Sequence, residues 1–158
     1  MRRLSPVELA IGAALLGSVL AVSVPAFLRE LHASRLDEPT EGLARIGAAA
    51  IAYAEANGRF PESAPLTPAV PPRGKKEADP PGTWDTPAWK ALGFRPAPEG
   101  APHAYAFSFE SNGTSFVAQA HGDLDGDGVF STFEIRGALK PGEKPALAPG
   151  MYVESELE

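Results

Sequence analysis

Val7-Glu8-Leu9-Ala10-Ile11-Gly12-Ala13-Ala14-Leu15-Leu16-Gly17-Ser18-Val19-Leu20-Ala21-Val22-Ser23-Val24-Pro25-Ala26-Phe27-Leu28 is the stretch on which the fold turns. It carries one charge, Glu8, near its start. At about 1.5 Å per residue, a helix of this length roughly spans the ~30 Å hydrocarbon layer of a bilayer. Arg2 and Arg3 stand just before it, which predicts a cytoplasmic N-terminus and an exported remainder. A cleaved secretory signal is the rival, with Val24-Pro25-Ala26 as its cut site. The apolar run is, however, longer than the ~7–15 residues of a usual signal core and has a glutamate at its start. The sequence therefore predicts a basic leader and transmembrane helix over 1–28, in a single-pass protein with its head on the far side of the membrane.

The start of that helix is written locally. Ser5 can cap it, Pro6 suits the first helical position, and Glu8 follows Ser5 by three residues, as in a capping box. Residues 29–57 continue the helix with an amphipathic pattern. Leu43, Ile46, Ala50 and Tyr53 recur at steps of three and four and form one apolar stripe. Asp37-Glu38-Pro39 interrupts it. Pro39 either kinks the helix or opens a second one capped by Asp37 or Glu38. Asn57-Gly58 is a stop.

Residues 58–158 read as a loop-rich head. Most of the 17 prolines lie there, and 61–83 is expected to be an ordered surface loop. Thr86 can cap, Pro87 can open and Gly93 can close a short helix holding Trp89 and Leu92. Trp84 and Trp89 can form a ligand shelf or fill the core, and a small domain favours the second. Residues 103–110 alternate, with Tyr105, Phe107 and Phe109 on one face. Ser111-Asn112-Gly113 signals a hairpin, 114–120 return, and 129–135 make a third strand. Met151-Tyr152-Val153 can add an edge strand. The predicted fold class is α+β: a long N-terminal helix, transmembrane in its first half, packed on a small antiparallel sheet.

One motif carries chemistry. Residues 123–134, Asp-Leu-Asp-Gly-Asp-Gly-Val-Phe-Ser-Thr-Phe-Glu, match the calcium-loop spacing D-x-D-x-D-G-x₅-E. Ca²⁺ takes six to eight hard oxygens, and alternate residues of a tight loop point the same way. Asp123, Asp125 and Asp127 would give carboxylates, Val129 a backbone carbonyl, Ser131 a hydroxyl or bridging water, and Glu134 a bidentate carboxylate. Strands flank this loop where an EF-hand has helices, so strand geometry can aim Glu134 elsewhere. The competing reading is an acidic turn that uses Asp and Gly for backbone reasons alone.

Composition excludes other classes. The net charge of −6 gives no basic stripe for nucleic acid. There is no cysteine, hence no thiol chemistry. His32, His103 and His121 lack metal-ligand spacing, and no catalytic set or small-molecule site is apparent. The expectation is a protein that is not an enzyme.

A basic leader, an apolar helix with a glutamate near its start, and a proline 17 residues later at Pro25 together resemble type IV pilins and type II secretion pseudopilins. Pro25-Ala26-Phe27-Leu28 and the stretch from Tyr53 through Asn57-Gly58-Arg59-Phe60-Pro61 are similar to that family as well, so the likeness covers 4–61. Arg3 departs from it, standing where the leader peptidase would require glycine. The resemblance implies a major or minor subunit of a pilus or secretion-type filament. Such a subunit waits in the bacterial inner membrane with its head periplasmic or extracellular and then packs against copies of itself or related subunits, with Glu8 and Pro25 serving assembly. It also implies a calcium site in the head. The alternative is a stand-alone membrane-anchored calcium-binding or adhesive module that does not polymerise.

Overall fold

The computed structural model describes residues 5–155, apart from the side chains of Glu8, Leu9, Ile11 and residues 26–35. Helix α1 runs Pro6–Asn57, followed by β1 (Ala64–Thr67), α2 (Pro87–Leu92), β2 (Tyr105–Ser111), β3 (Ser115–Gly122), β4 (Ser131–Ala138), β5 (Ala146–Leu147) and β6 (Tyr152–Glu154). The chain divides into two compact units, Met1–Arg35 and Leu36–Glu158.

In the first unit the expected fold class needs correction. Among the described residues, no helix is long and apolar enough to cross a membrane. From Leu36 onward, α1 alternates buried and exposed positions. The expected transmembrane first half, and with it the single-pass inner-membrane location, is overturned on this finding. What stands is an α+β chain with a six-stranded antiparallel sheet.

In the second unit the strand order is β1-β2-β3-β4-β5, with β6 also paired to β4. The meander is in regular register: Phe107 faces Ala120 and Ala120 faces Phe133. Because strand side chains alternate, Tyr105, Phe107 and Phe109 share one face with Ala118, Ala120 and Phe133, and all six are buried. The helix supplies Leu43, Ile46, Ala50 and Ala54 to the same core. Tyr53, expected in the stripe, is only half-buried and Ala54 takes its place. Two glycines let the layers close. A Cβ on Gly42 would lie 2.6 Å from the Phe107 ring, and one on Gly47 would lie 2.9 Å from Ile135 Cδ1.

Helix α1 does not break at Pro39, which is buried, and Glu38 is not a cap there. Its Oε1 accepts from the backbone N–H groups of Ala104 (2.7 Å) and Tyr105 (2.9 Å), and its Oε2 lies 3.4 Å from Lys76 Nζ. The helix thus holds the entry to β2 by one carboxylate. The short helix α2 forms as read, with Thr86 Oγ1 accepting from Trp89 N and Gly93 in the left-handed region at φ 56°.

Residues 61–83, expected to be a loop, contain β1, which pairs with β2 through Ala64 and Thr67. Trp84 and Trp89 are core residues with ring centroids 5.3 Å apart. Trp89 Nε1 donates to Thr67 Oγ1 (2.9 Å), and Trp84 Nε1 donates to Asp79 Oδ2 (2.6 Å). Asp79 Oδ2 also lies 2.6 Å from His103 Nε2. The Pro-rich segment is therefore tied down by buried polar side chains, as buried polar groups require.

Candidate functional site

The acidic loop occupies the turn between β3 and β4. Gly126 and Gly128 take φ values of 84° and 96°, which only glycine adopts readily. They bend the chain so that each aspartate folds onto backbone N–H groups ahead of it. Asp123 Oδ1 accepts from Gly126 N (2.7 Å) and its Oδ2 from Gly128 N (3.2 Å). Asp125 Oδ1 accepts from Asp127 N (3.1 Å), and Asp127 Oδ1 from Val129 N (2.7 Å). One ligand oxygen from each of the three carboxylates lies within 4.8 Å of the others. That span is about the diameter of a Ca²⁺ coordination sphere with ~2.3–2.6 Å bonds. Asp123 is 1% exposed, whereas Asp125 and Asp127 face solvent.

Of the other expected ligands, Ser131 and Glu134 are held by other partners. Ser131 is fully buried, and its Oγ donates to the Gly122 carbonyl (3.1 Å). Val129 is exposed. Glu134 sits in β4 opposite Gln119 and Tyr152. Its carboxylate accepts from Gln119 Nε2 (2.8 Å) and Arg136 Nε (2.6 Å). The strand thus turns Glu134 onto the sheet's outer face, away from the three aspartates. His121, on the same outer face, pairs with Thr132 Oγ1 at 3.0 Å. Burial lowers its pKa, and the nearby Glu134 carboxylate opposes that shift.

One cation that spacing could not reveal belongs to this site. Arg73 forms a bridge with Asp123, its Nε lies 3.8 Å from Asp123 Oδ2, and Gly74 N–H donates to the Asp123 carbonyl (2.8 Å). The three-carboxylate set is oxygen-only and hard, and a positive side chain already sits on its buried member. The three carboxylates could hold a hard divalent cation.

The second feature is the first part of α1. Val7, Leu15, Leu16, Val19, Leu20, Val22 and Val24 are 49–73% exposed. Leu15, Val19 and Val22 lie at helical steps of four and three, beside Leu16 and Leu20, so they form adjacent ridges. Pro25 is exposed and lies within α1. The side chain of Glu8 and the leader residues Arg2 and Arg3 lie outside the described residues.

No family model, curated protein or solved structure matches this chain. The expected labels of pilus and secretion subunit therefore gain nothing from relatives.

Proposed function

We propose that the chain is a structural subunit that assembles through the first part of α1 with copies of itself or with related subunits, and that calcium at Asp123, Asp125 and Asp127 stabilises its head. The resemblance of 4–61 to pilin-like proteins supports the first part. The observation that carries it is the set of seven large aliphatic side chains exposed among the described residues from Val7 to Val24. Full burial of one such side chain contributes about 1.5–3 kcal/mol, and contiguous exposed apolar surface marks an interaction site. Ridges at helical spacing are what a second helix interdigitates with.

The full chain in sedimentation velocity should therefore form larger species as concentration rises. Leu16→Lys combined with Val19→Lys should hold it monomeric. A wild-type chain that stays monomeric throughout would favour the alternative, a stand-alone calcium-binding or adhesive module.

The head reading rests on the donor set. Calcium would supply positive charge to three carboxylates that otherwise repel one another, and the residues to hold it are Asp123, Asp125 and Asp127. A ligand that binds only the folded state adds RT ln(1 + [L]/Kd), about 2.7 kcal/mol at a hundredfold excess over Kd. The chain should melt higher in millimolar CaCl₂ than in EDTA, and Asp125→Ala should remove most of the difference. Equal melting temperatures would leave the loop as a turn.

A further inference from the structure

We infer that Asp79 and His103 form a proton-dependent clasp that fastens the Pro-rich segment onto the entry to β2. The inference is independent of the assembly and calcium readings above. The His103 side chain is 3% exposed and that of Asp79 14%. Both ring nitrogens meet oxygens: Nδ1 lies 2.9 Å from the Tyr105 carbonyl, and Nε2 lies 2.6 Å from Asp79 Oδ2. A carbonyl can only accept, so a neutral ring carries its one proton on Nδ1. Nε2 then turns a lone pair toward a carboxylate oxygen that Trp84 Nε1 holds in place by donating to it (2.6 Å). A lone pair and an anion facing each other out of water are costly. One further proton, on Nε2 or on Oδ2, turns that contact into a hydrogen bond, and it belongs to the pair as a unit.

The surroundings leave this proton to the pair. From α1, Glu38 faces the backbone just after His103 and is paired with Lys76. Glu77, which exchanges two backbone hydrogen bonds with His103 (2.9 Å each), is paired with Lys75. Asp85, Arg95 and Glu99 line a small cavity beside the ring, and the arginine pairs with both acids. Among the described residues, Asp79 has no lysine or arginine partner, and His103 is the one ionisable base set against it. The strap so held runs from Glu77, bridged to His103, to Trp84, whose ring lies in the core. As pH rises and the shared proton leaves, the ring keeps its bond to the Tyr105 carbonyl and lets go of Asp79. The stability that the clasp contributes is thus present while the proton is held and is lost with rising pH.

Heteronuclear NMR of the full chain tests this from about pH 5 to about pH 9, the range that brackets histidine chemistry. The indole N–H signal of Trp84 should move in one transition, in step with the ring nitrogens of His103. That of Trp89, which donates to Thr67, should stay. Asp79→Asn offers Trp84 an acceptor and Nε2 a donor, which suits the neutral ring, so the transition should vanish in that variant. In urea unfolding, wild type should lose stability relative to Asp79→Asn as pH rises. The ratio of their unfolding constants should change by up to about tenfold per pH unit, the slope for one proton. A wild-type Trp84 signal that stays fixed across the range would overturn the inference, as would a ratio that does not change with pH. Should Asp79→Asn fail to fold, the Trp84 and Trp89 signals of wild type decide alone.

Discussion

Glu38→Ala is expected to destabilise the head by about 2–4 kcal/mol, the cost of leaving two backbone donors unpaired. One carboxylate oxygen accepts from two backbone N–H groups at the start of β2, those of Ala104 and Tyr105. Both residues are buried, so water cannot readily replace the lost acceptor. A buried donor left unpaired costs about 1–3 kcal/mol, and here there are two. Domain stabilities are only about 5–15 kcal/mol, so the loss should be plain in urea denaturation. Glu38→Gln keeps an acceptor oxygen but gives up the charge and its attraction to Lys76, and about 1 kcal/mol is expected. An alanine variant no less stable than the glutamine variant would show that the carboxylate is not the anchor.

Phe107→Ala should cost a similar 3–5 kcal/mol. The ring is fully buried and packs edge-on against Phe94, with centroids 5.0 Å apart, and against Trp84 at 6.4 Å. Its other side meets the backbone of α1 at Gly42. The cavity left by alanine would be bounded by a helix backbone and by aromatic rings that are themselves pinned, so it closes poorly. The fall in thermal or urea midpoint measures this. A change under about 1 kcal/mol would mean that helix and sheet collapse onto the gap.

Much of this core was legible because its periods are local. The three- and four-residue steps from Leu43 to Ala50 and the two-residue steps from Tyr105 to Phe109 need only the pleat and the helix to be read. The Thr86, Pro87 and Gly93 signals likewise act within one turn. Strand β1 was missed because Pro65 and Pro68 look like loop residues, yet an edge strand tolerates proline where no ladder donor is needed. Glu38 looked like a cap because its partners, Ala104 and Tyr105, are remote in sequence and leave no local trace. The same holds for Arg73 and Asp123. In the acidic loop, the alternation of Asp123, Asp125 and Asp127 did announce their convergence. Glu134 obeys the strand period of β4 instead of the loop's. The apolar run at 7–28 read as a membrane span from composition, a reading the described helix does not sustain.

The end of the chain closes a different kind of opening. Strand β4 is the last long strand, and its outer edge is covered in two patches: β5 pairs at Gly137 and Ala138, and β6 pairs at Thr132, Phe133 and Glu134. Both patches come from the tail beyond Leu139, which donates its N–H to the Thr114 carbonyl. A chain cut short at that point keeps every layer of the core and yet presents an eight-residue strand with its donors and acceptors bare. Such an edge is a template for the next molecule's strand. The tail contributes little apolar burial, but it confines β-pairing to a single molecule and so guards the head against uncontrolled aggregation.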